Sequence, residues 1–343
     1  MSGTTSVEAD GRSEPLVDVC IPAYKRPGYI VEAIASVKAQ TFERWRLTIS
    51  DDGPGGEEVG AAVAPFLSDE RIRYLPTWQR IGEMLNWTRC LELSEARYVA
   101  LLHDDDRWHP SFLERRVAVL EAHPECGFVF SGTNRIDHEG RSLGTWSPPV
   151  TERVYSSREF ARLLLEANVV GPPPSVLVRR SAYDAAGAAF RRDFPHSDYE
   201  MWYRLALTSP VAYIDSHDVD YRVHPNSTSY LVRPDVEAVL RFRSHFVELA
   251  DSELPGLLDE RARARIRGRM LLPFIAFDAL GPGSRRYSTR LLLEAVKAYP
   301  PVLLDARVLD WLRIMVGPRV RRHVARLRTF VRGRPSIAGV PGR

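Results

Sequence analysis

Three consecutive carboxylates, Asp104, Asp105 and Asp106, stand directly behind the apolar run Tyr98-Val99-Ala100-Leu101-Leu102. Charges this close raise one another's pKa unless a cation or hydrogen-bond donors offset them. Hard carboxylate oxygens suit Mg²⁺ or Mn²⁺, which take a few protein ligands and complete their shell with water and substrate phosphates. A second acidic pair, Asp51-Asp52, closes the run Arg46–Ser50, and Asp198 opens a segment rich in aromatics. Each has a plainer reading: a solvated turn for the triplet, a strand-to-loop turn for the pair, a helix cap for Asp198. No Gly-x-Gly-x-x-Gly follows the first apolar run and no Gly-Lys-Ser/Thr occurs, so dinucleotide binding and P-loop hydrolysis lose support.

The elements that must position these residues follow from periodicity. Leu16–Pro22 reads as a strand ended by proline, and Ile30–Gln40 as a helix with Ile30, Ala33, Ile34 and Val37 on one face. Arg46–Ser50, Ile72–Leu75 and Tyr98–Leu102 read as strands, separated by helices at 59–67 and 82–93. Such alternation predicts an α/β fold with right-handed crossovers, a mainly parallel sheet and flanking helices. Ligands of open α/β sheets bind beyond the carboxyl ends of the strands, where Tyr24, Asp51, Asp52 and Asp104–Asp106 all fall. Downstream, a helix is expected over 112–122, a strand over 128–131, a hairpin or loop over 137–151, a strand over 175–178 and a helix over 198–207.

The chain has 343 residues, 44% hydrophobic and 27% charged, enough for one large domain or two modest ones. Cys20, Cys90 and Cys126 form no metal-type spacing and fit reduced structural thiols. Met1–Pro15 is polar and reads as a disordered lead-in without an apolar signal region; no apolar run is long enough to span a bilayer. The net charge of +3 conceals an asymmetry: from Asp259 onward there are 19 Lys+Arg against 6 Asp+Glu, whereas the preceding part has 28 against 38. In 319–334, Val320, Val324, Leu327 and Val331 recur at helical spacing among arginines. That pattern suits either a cationic helix lying on an anionic membrane or a stripe that packs on protein.

Together these motifs resemble the family 2 glycosyltransferases. Val19-Cys20-Ile21-Pro22-Ala23-Tyr24-Lys25-Arg26-Pro27 is similar to that family's strand-Pro-x-Tyr-Asn-Arg opening, with Lys25 in place of the usual Asn. Ser36-Val37-Lys38-Ala39-Gln40-Thr41 resembles its first-helix signature, Asp51-Asp52-Gly53 its second-strand acidic pair, and His103-Asp104-Asp105-Asp106 with Pro110 its Asp-x-Asp segment. Val178–Ser181, Gly187 and Ser197-Asp198-Tyr199-Glu200 with Arg204 resemble the acceptor-side block, although Ser197 stands where Glu is common. Tyr221-Arg222-Val223-His224 with Ser227 and Ser229 resembles the closing block.

The resemblance implies a GT-A fold and an inverting transfer from a nucleotide sugar, with Mn²⁺ or Mg²⁺ as cofactor. It implies Asp106 and His224 on the metal, and Tyr24, Asp52, Asp104 and Asp105 on the nucleotide sugar. Asp198 is the implied general base. Trp78, Arg80, Glu200 and Trp202 are expected either to line the acceptor side or simply to pack, and Ser227–Arg233 to cover the diphosphate. The expected organisation is a catalytic domain over 16–233, with a nucleotide-sugar half to about 110 and an acceptor half after it, then a helical, arginine-rich region over 234–343. The expected setting is cytoplasmic, with 319–334 a candidate contact to the inner face of the cell membrane. The donor is expected to carry UDP or dTDP; the acceptor is a saccharide, a lipid-linked sugar or a small molecule, and a homo-oligomer is compatible. Two other readings compete: a nucleotide-sugar-binding module without turnover, and a nucleic-acid-binding protein acting through the basic tail. No nucleic-acid fold motif supports the second, so no nucleic acid is expected.

Overall fold

The computed structural model describes residues 14–54, 56–224, 227, 235–277 and 284–309. Strands run in chain order as β1 (Val17–Ala23), β2 (Trp45–Asp51), β3 (Ile72–Pro76), β4 (Tyr98–Leu101), β5 (Arg107–Trp108), β6 (Phe128–Ser131), β7 (Thr133–Ile136), β8 (Ser142–Trp146), β9 (Arg153–Tyr155), β10 (Val176–Arg179), β11 (Val211–Ile214) and β12 (Val219–Arg222). Helices α1 (Pro27–Lys38), α2 (Glu57–Val63), α3 (Glu83–Glu92), α4 (Phe112–Ala122), α5 (Ser157–Glu166), α6 (Arg180–Ala185) and α7 (Ser197–Thr208) alternate with them.

Eight strands form one sheet in the order β3-β2-β1-β4-β10-β6-β11-β9. Pairings from β3 through β4 are parallel, as is β6 with β11, while β10 and β9 run antiparallel. The mainly parallel sheet is therefore mixed in its second half. A second sheet, β5-β12-β7-β8, includes the hairpin expected between 137 and 151.

β1 is buried at all seven positions because it lies between β2 and β4 with apolar side chains facing both ways. Its one charge, Asp18, is satisfied on every side: Arg46 donates at 2.7 and 2.9 Å, and the amides of Glu95 and Ala96 at 2.6 and 2.8 Å. The strand does not stop at Pro22. The Cys20 carbonyl accepts from Leu102 of the β4 side and the Ala23 carbonyl from Asp52 on the β2 side. Pro22 therefore faces β4, whose register ends at Cys20↔Leu101, so its missing donor leaves no gap in the ladder. Pro27 then opens α1 at a position that needs no amide hydrogen, and Ile30, Ala33, Ile34 and Val37 dock on the sheet as predicted.

The described chain divides into two compact units. The first holds both sheets: residues up to Ser157, Val169–Arg192 and Ser197–Ser227. The second gathers Arg158–Asn168, Asp193–His196 and the described residues from 235 onward. Within it, Asp235 and Asp259 cap the helices Val236–Glu253 and Glu260–Arg269 by accepting from Ala238 and Ala262. Leu272–Phe277 and Ser284–Ala298 are also helical. Among the described residues, no helix is long and apolar enough to cross a membrane. Residues 228–233 and 319–334, expected as a cover and a cationic helix, lie outside the described residues.

Candidate active site

The acidic triplet forms the turn that leads from β4 of the large sheet into β5 of the small one. Asp104, Asp105 and Asp106 are 2%, 7% and 1% exposed, so solvent does little to compensate their charges. Asp104 accepts from the Tyr24 amide at 3.0 Å and from Arg26 at 2.7 Å; Arg26 also reaches Asp105 at 3.2 Å. His224 Nε2 lies 2.9 Å from Asp105 Oδ2. Asp106 Oδ1 accepts from the Arg222 amide at 2.7 Å, while His103 Nδ1 stands 3.3 Å from Oδ2.

The small sheet explains how Arg222 arrives there. Antiparallel pairing sets Asp220 opposite Arg107, and continuing that register brings Arg222 alongside Asp105. Its Nε donates to the Asp105 carbonyl at 2.8 Å, and its other nitrogens reach Glu32 of α1 at 2.7 Å and the Asp137 and His138 carbonyls at 3.3 Å. Arg107, paired with Asp220 at 2.6 Å, reaches the same Glu32 at 3.0 Å. One buried arginine thus braces the acidic turn from behind. Beside it, Lys25, Arg26, Gly28, Tyr29 and His224 line a cleft of about 210 Å³.

Electrostatics follow the geometry. Burial, with the charge of Asp105 added, pushes Asp104 and Asp106 up to about 6. Burial also opposes ionisation of Asp105, but its hydrogen bond to His224 and the charges of Arg26 and His103 outweigh it and hold that group below the usual range. Burial works against charging His103, yet the adjoining Asp106 holds its pKa above the ordinary value. The cluster is therefore a carboxylate set short of positive charge. Donor atoms of His103, Asp105 and Asp106 lie within 4.8 Å of one another, and Asp106 Oδ2 is buried without a hydrogen-bond partner. Two kinds of ligand atom, carboxylate oxygen and imidazole nitrogen, so arranged fit a divalent cation such as Mn²⁺ or Mg²⁺.

The remaining predicted residues fall as follows. Asp51 accepts from Gly53 and from the Tyr74 hydroxyl, a structural role. Asp52, 3% exposed, holds the loop before α3 by accepting from the Ile81 and Gly82 amides at 2.6 and 2.9 Å. Its own amide donates to Ala23, so Asp52, Tyr24 and Asp104 share one carboxyl edge of the sheet. The Arg80 guanidinium sits 4.6 Å from the Tyr24 ring centroid. Trp78 is 99% exposed. Asp198 comes from a separate element, the first turn of α7, and is half-buried. Of the four residues expected either to line the acceptor side or to pack, Trp202 is 1% exposed and donates to the Gly171 carbonyl, and Glu200 is buried against Arg204. They pack.

Sequence reasoning assigned no role to Arg26, Glu32, His103 or Arg222. Three of these lie inside quoted motifs, so proximity to an acidic turn was the available signal; Glu32, on the outer side of α1, carried none.

Comparison with solved structures places this arrangement. The chain superposes on S. aureus TarS 1-349 in complex with UDP-GlcNAc with a TM-score of 0.61 at 13% identity, covering 92% of this chain and 90% of that one. It spans 52% of a longer TarS chain. The fold and the acidic turn define a glycosyltransferase of the GT-A fold. Residues 18–187 match the family model described as glycosyl transferase family 2. An uncharacterized glycosyltransferase of Methanocaldococcus jannaschii is 24% identical over 64% of this chain and 74% of its own length. An uncharacterized protein of Mycobacterium tuberculosis is 25% identical over 94% of this chain and 92% of its own. Residues 18–187 belong to glycosyl transferase family 2.

Proposed function

We propose that this glycosyltransferase is metal-dependent and inverting, and that it moves a sugar from a UDP- or dTDP-sugar to an acceptor hydroxyl within a catalytic domain spanning 16–233. The observation that carries the proposal is the buried acidic turn Asp104–Asp106, with Asp106 Oδ2 lacking a hydrogen-bond partner at the carboxyl edge of the sheet. Asp106 and His224 would hold Mn²⁺ or Mg²⁺, which supplies charge neutralisation on the leaving diphosphate. Asp104 and Asp105 orient the nucleotide sugar. Each oxygen of Asp52 holds one backbone amide and keeps a second lone pair, enough to accept the imide N–H of uracil or thymine. TarS, which shares the fold, is seen with UDP-GlcNAc, a donor of that class. Tyr24 covers the base.

Asp198 accepts the proton of the acceptor hydroxyl while that oxygen attacks the anomeric carbon and the nucleoside diphosphate departs from the opposite side. One displacement with one base inverts the centre. Its place in the first turn of α7 favours the charged form needed for that task. A saccharide, lipid-linked or small acceptor fits, and the basic segment 319–334 offers a membrane contact for a lipid-linked one.

The test compares UDP, dTDP and GDP binding by calorimetry with Mn²⁺, then transfer by the Asp198→Asn and Asp106→Ala variants. UDP or dTDP is expected to bind more tightly than GDP. Asp198→Asn is expected to bind donor normally and to lose at least about a hundredfold in transfer, and Asp106→Ala to lose cation-dependent turnover. Equal binding of UDP and GDP would remove the base-reading role of Asp52, and near-normal transfer by Asp198→Asn would remove the general base.

A further inference from the structure

We propose that His103 is a direct protein ligand of the divalent cation at the acidic turn, beside Asp106, and that its imidazole sets the preference of this site for Mn²⁺ over Mg²⁺. The inference rests on the metal-dependent reading above and adds a residue that no motif assigns to the metal.

Four observations converge on His103. Its Nδ1 lies 3.3 Å from Asp106 Oδ2. Two ligands at right angles around an ion with bonds of about 2.1 Å are about 3 Å apart, so the pair already stands near the separation of neighbours in an octahedral shell. Second, Asp106 is oriented for this. Its Oδ1 is held by the Arg222 amide, its side chain has no exposed surface, and Oδ2 has no hydrogen-bond partner. Third, the imidazole is fixed. Trp87 stacks on it at 5.1 Å with a 30° interplanar angle, and Phe190 meets Trp87 edge-on at 5.2 Å. His103 Nε2 is also buried without a hydrogen-bond partner. Fourth, the other nearby imidazole meets a different carboxylate of the turn: His224 Nε2 is 2.9 Å from Asp105 Oδ2, which leaves Asp106 Oδ2 to His103.

The turn itself makes the contact feasible. The Asp106 amide donates to the His103 carbonyl, so residues three apart fold back and present both side chains to one point. Ligand chemistry then gives the selectivity. Carboxylate, carbonyl and water suit Mg²⁺, whereas an imidazole nitrogen favours a transition ion. With His103 in the shell, Mn²⁺ is preferred; with a carboxylate in its place, the site approaches an all-oxygen set and the preference narrows.

The experiment uses the full chain with UDP and reads Mn²⁺ by pulsed electron paramagnetic resonance, alongside Mn²⁺ and Mg²⁺ affinities by calorimetry. The wild-type protein is expected to show nitrogen coupling from coordinated imidazole. His103→Gln is expected to lose the coupling of one imidazole and to weaken Mn²⁺ at least about tenfold, with Mg²⁺ affinity changed much less. His103→Asp is expected to bind both ions with a reduced Mn²⁺/Mg²⁺ ratio, and it serves if the Gln variant misfolds. Coupling that is undiminished in His103→Gln overturns the proposal, as does an unchanged ion preference. A wild-type enzyme that transfers sugar with Mn²⁺ but shows no coordinated nitrogen overturns only the role of His103. Absence of any Mn²⁺ binding overturns the metal-dependent reading with it.

Discussion

At the scale of single residues, the buried acidic turn carries a cost in stability. Asp106 is pushed up to about 6 from an ordinary 3.8, chiefly by burial. A carboxyl group whose folded pKa is raised holds its proton more tightly in the native state. Its destabilising effect is therefore absent below the ordinary carboxylate range, grows as pH rises and is complete above about 6. Asp106→Asn keeps an oxygen to accept from Arg222 while removing the charge. Without metal, the variant is expected to exceed wild type at pH 7.5 by on the order of 1–3 kcal/mol and to lose that advantage by pH 4, as thermal melts at the two pH values would show. A variant without that advantage would mean Asp106 is compensated within the protein. Lys25 illustrates a different tension. It takes φ +54°, in the left-handed region that asparagine tolerates better than lysine, and asparagine is what the resembling family usually has there. Lys25→Asn should stabilise the fold by about 0.5–1 kcal/mol, read from the midpoint of chemical denaturation. The departure was visible in the sequence, but its cost was not, because a backbone angle has no one-letter signature.

At the scale of elements, the sequence was most legible where burial is repetitive. β1, β2 and β4 match to within one residue and α1 to within three, because a strand buried on both faces and a helix with one apolar stripe leave periodic traces. Pro22 misled only about where β1 ends, since hydrogen-bond direction, not residue type, decides whether proline fits. The small sheet was less legible. β5 has two residues and β12 four, too few for periodicity to register, yet they deliver Arg222 to the acidic turn. What fixes them is Arg116 of α4, with no exposed surface. It pairs with Asp218 at 3.0 and 3.1 Å, bonds Ser131 at 2.5 Å and lies 3.6 Å from the Phe112 ring centroid. This pair joins α4 and the end of β6 to the entry of β12. Breaking a buried pair strands one charge, so Asp218→Ala is expected to cost about 3–5 kcal/mol, and the double Arg116→Met/Asp218→Leu variant distinctly less. Denaturation midpoints of the two variants test it; equal losses would show that shape rather than charge is what the pair contributes.

At the scale of the whole molecule, the predicted boundary at 233 separates the strand-bearing sequence from the helical, arginine-rich one, and one helix before it is grouped with the latter. α5 precedes half of the large sheet in sequence, yet residues 158–168 belong to the compact unit formed with the C-terminal helices. Arg162 donates to the Leu257 carbonyl at 3.1 Å, and Glu166 pairs with Arg265 at 2.6 Å. The buried face of α5 carries Phe160, Ala161, Leu164 and Leu165. Composition could not reveal this, because a helix inserted between two strands looks the same whether its apolar face meets the sheet or a distant helix. The consequence is a prediction about truncation. A fragment ending at 233 retains α5 but loses the helices with which it is grouped, exposing apolar side chains whose burial is worth about 1.5–3 kcal/mol each for the larger ones. Such a fragment is expected to bind a hydrophobic dye, to melt at least about 5 °C below the full chain and to aggregate, even though every proposed site residue lies within it. Expression of 1–233 beside the full chain, compared by thermal melting and light scattering, decides the matter. A monomeric fragment with an unchanged melting temperature would mean that the sheet-bearing part, α5 included, folds without the C-terminal helices.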